Sequence, residues 1–105
     1  MSAFNCKMFM DLVGESFSVQ RERREALKAE LIEVNEHSGA YHNIKSNSRQ
    51  DCFSILFRGP MDQPLEQGTY NFSHSQTGKF PLFIVPVGID EKGRLYEAIF
   101  NRLQG

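Results

Sequence analysis

From residue 53 onward, apolar and polar residues take turns along the chain. Phe53, Ile55 and Phe57 share one parity before Gly59-Pro60 interrupts the run. Tyr70, Phe72 and His74 repeat the pattern, and so do Tyr96, Ala98 and Phe100 against Leu95, Glu97 and Ile99. Period two is the signature of a strand, whose successive side chains point to opposite faces. The stretch 80–87 differs, because Phe80, Leu82, Ile84 and Pro86 alternate with Phe83, Val85 and Val87. Apolar residues on both parities predict a central or fully buried strand. Pro81 and Pro86 have no N–H for a ladder, so they belong near strand ends, at a bulge or with the nitrogen facing outward. "SQTG" and "GIDEKGR" are expected to close hairpins, the second with Gly93 at a positive φ.

The first half is more mixed. Phe4, Met8, Phe9, Leu12 and Val13 recur at helical spacing and Gly14 follows, predicting a short helix over Lys7 to Val13. Phe17 and Val19 in "ESFSVQ" suggest a first strand. In "RERREALKAELIEVNEH" the Ala, Leu and charged residues favour helix by propensity. Yet Leu27, Ala29 and Leu31 alternate, and Ile32 and Val34 continue on the other parity, as a bulged strand would. Strand is preferred because period-two segments flank it. "SGAYHNIKSNSRQ" is polar and reads as a loop. About six strands with short turns predict a mainly β fold, a single antiparallel β-barrel or sandwich with a short N-terminal helix.

Composition narrows the classes. A chain of 105 residues with 40% hydrophobic and 24% charged residues fits one β-rich domain over 1–105. The net charge of −1 favours neither nucleic acid nor an anionic membrane. No apolar stretch approaches the roughly 20 residues of a membrane helix, and the start lacks a basic segment followed by an apolar run. Two cysteines, Cys6 and Cys52, stand far apart in sequence, which suits free thiols in a reducing cytoplasm better than a disulfide. A cytoplasmic protein is expected.

Candidate chemistry is sparse. His37, His42 and His74 with Cys6, Cys52 and Asp51 lack the close pairs of a zinc site, so neither a metal nor another cofactor is expected. A Cys52–His74 nucleophile pair is conceivable, but Cys52 sits beside Asp51 rather than in an electropositive setting. Asp90 and Glu91 lie in a turn, where carboxylates serve solvation. "RERRE" interleaves Arg21, Arg23 and Arg24 with Glu22 and Glu25 and has no stacking aromatics, so it decorates a hairpin turn or blunts an edge strand. His74 shares a face with Tyr70 and Phe72 and reads as a half-buried hydrogen-bonding residue.

"GESFSV", "FSILFRGP", "LEQGTYNFSH", "PLFIVPVG" and "YEAIFN" together resemble a family of small bacterial proteins described as a domain of unknown function. The matching residues are Val13, Gly14 and Phe17; Phe57, Gly59 and Pro60; Gln67, Gly68, Tyr70 and His74; Val85 to Gly88; and Tyr96 to Asn101. The resemblance covers most of the chain outside 21–50. It implies no activity, and it implies companionship with phage-tail-collar-like or microcystin-dependent-like proteins. The expectation is therefore a non-enzymatic accessory or assembly domain that binds another protein. Its anchors on residue type and expected exposure are Tyr41 and Arg58, with Tyr96 a third if the last strand lies at an edge. The alternatives are a small-molecule or glycan-binding barrel with Tyr70, His74 and Tyr96 lining a pocket, and a hydrolase using Cys52 and His74. The oligomeric state is not set by any pattern in the chain.

Overall fold

The computed structural model describes residues 6–36 and 49–104, with the side chains of 36, 49–52 and 101–104 left aside. A short helix α1 (Cys6–Met10) precedes six strands: β1 (Ser16–Arg21), β2 (Arg24–Glu36), β3 (Arg49–Gly59), β4 (Gly68–His74), β5 (Gly78–Asp90) and β6 (Gly93–Gln104). All pairings are antiparallel, and the strands close into a barrel in the order β1-β2-β3-β6-β5-β4. The mainly β expectation holds, and of barrel and sandwich the chain forms the barrel.

The alternation of residues maps directly onto inside and outside. Phe17, Val19, Leu27, Ala29, Leu31, Phe53, Ile55, Phe57, Phe72, Phe80, Leu82, Ile84, Tyr96 and Ala98 fill the interior. The parity change in the second strand is a real bulge. Leu31 pairs with Phe57 and Glu33 with Leu56, so Ile32 is the extra residue. The bulge lets Leu31 stay fully buried and still packs Val34 against the core.

Each end of the barrel is closed differently. At one end α1 seats Phe9 against Phe53, Phe80 and Phe100, with ring centroids 5.3 to 6.2 Å apart. The helix ends at Met10, three residues short of the expected Val13. Leu12 N–H turns to the Phe9 carbonyl, and Gly14, at φ 96, donates to the Leu31 carbonyl at 2.7 Å. That bond pulls the chain onto β2 and tightens the last turn.

At the other end the connection between β3 and β4 (residues 60–67) crosses the barrel mouth. Leu65 is buried there, and its N–H donates to the Tyr96 hydroxyl at 2.9 Å. The Tyr70 hydroxyl donates to the Glu66 carbonyl, Arg21 to the Gln63 side chain, and Arg94 to the Met61 carbonyl. Gly59 gives room to the Tyr96 ring, because a Cβ at that position would lie 3.3 Å from Cε2.

Two expectations are corrected. The β5 strand is not buried on both faces: Phe80, Leu82 and Ile84 point inward, but Phe83 and Val87 are half exposed. A barrel has one apolar interior, so the opposite parity must meet whatever lies outside it. Pro81 faces out opposite Asn71, and Pro86 adjoins a register shift between Pro86 and Gly88. Gly93 does not have a positive φ; among the described residues Gly14, Gly78 and Arg23 do. Gly78 closes the "SQTG" hairpin and Arg23 lies in the turn of "RERRE", where no edge strand exists to be blunted. Gly93 is required for a different reason, given below.

Candidate functional site

Of the five residues expected to bind, Tyr41 lies outside the described residues, as do His37 and His42. Arg58 is not a free anchor. Its Nη2 donates to Asp90 Oδ2 at 2.7 Å and its Nε donates to the same carboxylate at 3.1 Å, while Nη1 lies 3.7 Å from Glu30 Oε1. Asp90 Oδ1 also accepts the N–H groups of Lys92 and Gly93, which shapes the β5–β6 turn. The Arg58 hydrogen bonds hold the Asp90 carboxyl below the usual aspartate range, and Asp90 raises the Arg58 guanidinium in turn. To reach Asp90 from β3, the Arg58 stem crosses Gly93. A Cβ there would lie 2.9 Å from Arg58 Cγ and press on the Gly59 carbonyl oxygen. Glycine at 93 thus serves close approach, not backbone handedness.

Tyr96 is a core residue at 2% exposure, and β6 runs between β3 and β5 rather than at an edge. It corrects the expectation of an exposed anchor: the hydroxyl that would have met a partner holds Leu65 instead. Tyr70 also spends its hydroxyl on the connection, at Glu66. His74 stands at the far end of β4 from Gly68, its ring 4.8 Å from that of Phe17. Its Nε2 is 2.9 Å from Glu15 Oε1, and its Nδ1 accepts the Gln76 N–H at 3.0 Å. With Nδ1 accepting, Nε2 is the ring nitrogen that donates to Glu15. The side chain is 6% exposed, so His74 latches the start of β1 to the β4–β5 hairpin. Tyr70, His74 and Tyr96 therefore do not line one pocket.

Cys52 lies on β3 opposite Asn101, whereas His74 lies on β4, and two strands separate β3 from β4 in either direction around the barrel. The backbone thus sets the conceived nucleophile pair on opposite walls. Among the described residues, no three His, Cys, Asp or Glu side chains gather as a metal site, and no helix is long and apolar enough to cross a membrane.

The surface features that stand out are ones the sequence pattern did not mark as sites. The first is an apolar outer face on β5 and β6. Phe83 is 51% exposed, Val87 50% and Ile99 65%, whereas exposed Ile89 pairs with Arg94, on the parity of Tyr96, and faces the other way. Val85 pairs with Glu97, so Phe83 and Ile99, each two residues farther along, fall on the same side of the barrel. Half-buried Val85 and Leu95 join them. The signal was present in the doubled apolar pattern of 80–87, but without the closed barrel that pattern reads as burial.

The second feature is an open depression on the wall of β1, β2, β4 and β5. It is lined by Ser16, Ser18, Lys28, Ser73, His74, Ser75, Gly78 and Lys79. Its floor follows from register, since short serines lie between longer lysines. No spacing in the sequence reveals it, because the four strands that form it are brought together by pairing.

Comparison with curated proteins and with solved structures finds no match. The family described as Domain of unknown function (DUF6916) matches residues 4–100. That span includes α1, β1 to β5 and β6 as far as Phe100, so both barrel closures and both surface features lie within it. The chain belongs to this family of domains of unknown function.

Proposed function

We propose that the protein is a non-enzymatic interaction module that docks another protein on the outer face of β5 and β6. One observation carries the reading: Phe83, Val87 and Ile99 are large apolar residues, each at least half exposed, on the outer side of β5 and β6 with Val85 and Leu95. Single exposed apolar residues are ordinary, but a contiguous set marks an interaction surface. The partner that fits is a protein presenting its own apolar face, with a polar group that meets Glu97, which lies between Leu95 and Ile99 on that face. The partner class implied by the family resemblance is a phage-tail-collar-like structural protein. In this reading the domain works in the cytoplasm, without cofactor or metal.

The test begins by isolating the complex from the native cell through a tag and identifying the partner. The purified partner is then titrated with wild-type protein and with Phe83→Ser and Ile99→Ser by calorimetry. Each substitution is expected to weaken binding by more than about 1 kcal/mol, roughly fivefold. Stability should change by less than about 0.5 kcal/mol, because these side chains support no core. Wild-type affinity in both variants would refute the surface assignment. A turnover that Cys52→Ser abolishes would replace the interaction reading with an enzymatic one.

A further inference from the structure

The depression across β1, β2, β4 and β5 has an internal order that pairing makes explicit. Lys28 pairs with Ser18, Ser18 with Ser73, and Ser73 with Lys79. The four residues form one row across β2, β1, β4 and β5, perpendicular to the strands. All four belong to the outward parity, since Phe17, Val19, Leu27, Ala29, Phe72 and Phe80 take the inward one. Adjacent strands are about 4.8 Å apart, so the two lysine Cα atoms are separated by about 14 Å. Their flexible stems can bend over the two serines between them. Ser16, Ser75 and Gly78 extend the depression on the sides.

We propose that this row is a binding site for a tetrahedral oxyanion, the phosphate or sulfate group of a small polar molecule. Two ammonium groups supply charge from either side, and two hydroxyls supply short donors from the floor. That combination matches an anion with several acceptor oxygens and a net charge of about −2. The donors are available. Neither Lys28 nor Lys79 has a carboxylate within ion-pair distance among the described residues, and Ser18 and Ser73 make no side-chain hydrogen bonds there. The two nearby acids are engaged elsewhere, Glu15 with His74 and Glu30 with Arg58. His74 lines the depression but directs its Nε2–H to Glu15, so it shapes the wall rather than serving as a donor to the anion. The site is open to solvent, which suits an anionic group carried on a larger ligand as well as the free ion.

Uniformly 15N-labelled protein is titrated with inorganic phosphate and, separately, with sulfate. Sodium chloride at matched ionic strength is the control. Saturating amide shifts confined to Ser16, Ser18, Lys28, Ser73, Ser75, Gly78 and Lys79 are expected with both oxyanions and not with chloride. The double variant Lys28→Gln/Lys79→Gln should weaken the interaction roughly tenfold. Lys92→Gln, at the β5–β6 turn, should bind as wild type. A comparison of glucose 6-phosphate with free phosphate then distinguishes an ester-bound anion from the free ion. Equal response to chloride, shifts scattered over the surface, or wild-type affinity in the double variant would overturn the proposal. These outcomes are independent of Phe83 and Ile99, so the site and the proposed docking face stand or fall separately.

Discussion

Tyr96→Phe isolates one hydrogen bond in an otherwise unchanged barrel. The phenyl ring keeps the buried volume of the tyrosine and its contact with Gly59, so no cavity forms. What disappears is the acceptor for the Leu65 N–H, which lies 2.9 Å from the hydroxyl. Leu65 is 6% exposed and is the buried residue of the connection that closes the barrel mouth, so water does not readily replace the lost partner. An orphaned buried donor costs about 1–3 kcal/mol. At roughly 4–8 °C per kcal/mol for a domain near this size, the melting temperature should fall by at least about 4 °C. Urea titration should show a lower midpoint at unchanged slope. Hydrogen exchange supplies the local check: the Leu65 amide should lose protection, while core amides of β3 and β6 exchange in step with the lower global stability. A melting temperature within about 1 °C of wild type, with Leu65 still protected, would refute the account of how the barrel end is held.

Gly93→Ala should destabilise by about 1–3 kcal/mol in the same urea assay, because its methyl would displace Arg58 or the Gly59 carbonyl. Gly68→Ala is its control, since the nearest atom to a Cβ there is 3.8 Å away, and it should be close to neutral. The pH prediction concerns Asp90, whose carboxyl is held low chiefly by Arg58. The folded state then binds a proton less readily than the unfolded chain. The resulting stability is present above the unfolded aspartate value of about 3.9 and is lost as pH falls through the lower folded value. Melting temperatures measured across that acid range should fall more steeply for wild type than for Asp90→Asn. Parallel acid limbs would remove the Arg58–Asp90 pair as a source of pH dependence.

Local pattern decided most of the strands. The parities of 53–57, 70–74 and 95–100 follow from the need to hide one face of a pleated segment, and the parity break at Ile32 reported its own bulge. Gly14 closed the turn that follows α1 and Gly78 closed a hairpin, because a positive φ is a property of single residues. The candidate surfaces were less legible. Tyr96, Arg58 and Gly93 each look like something else in isolation: an exposed ring, a free cation and a turn residue. Tyr96 acquired its role when the β3–β4 connection folded across the mouth, and Gly93 acquired its own when Arg58 reached over it to Asp90. The outer apolar face of β5 could not be told from a buried one until the sheet closed and gave the strand one inside. The Lys28–Ser18–Ser73–Lys79 row exists in no stretch of sequence. Sequence alone determined which residues alternate and where the chain turns, because those are local steric and solvation choices. Tertiary structure decided which strands became neighbours, because antiparallel pairing and barrel closure join residues that are far apart along the chain.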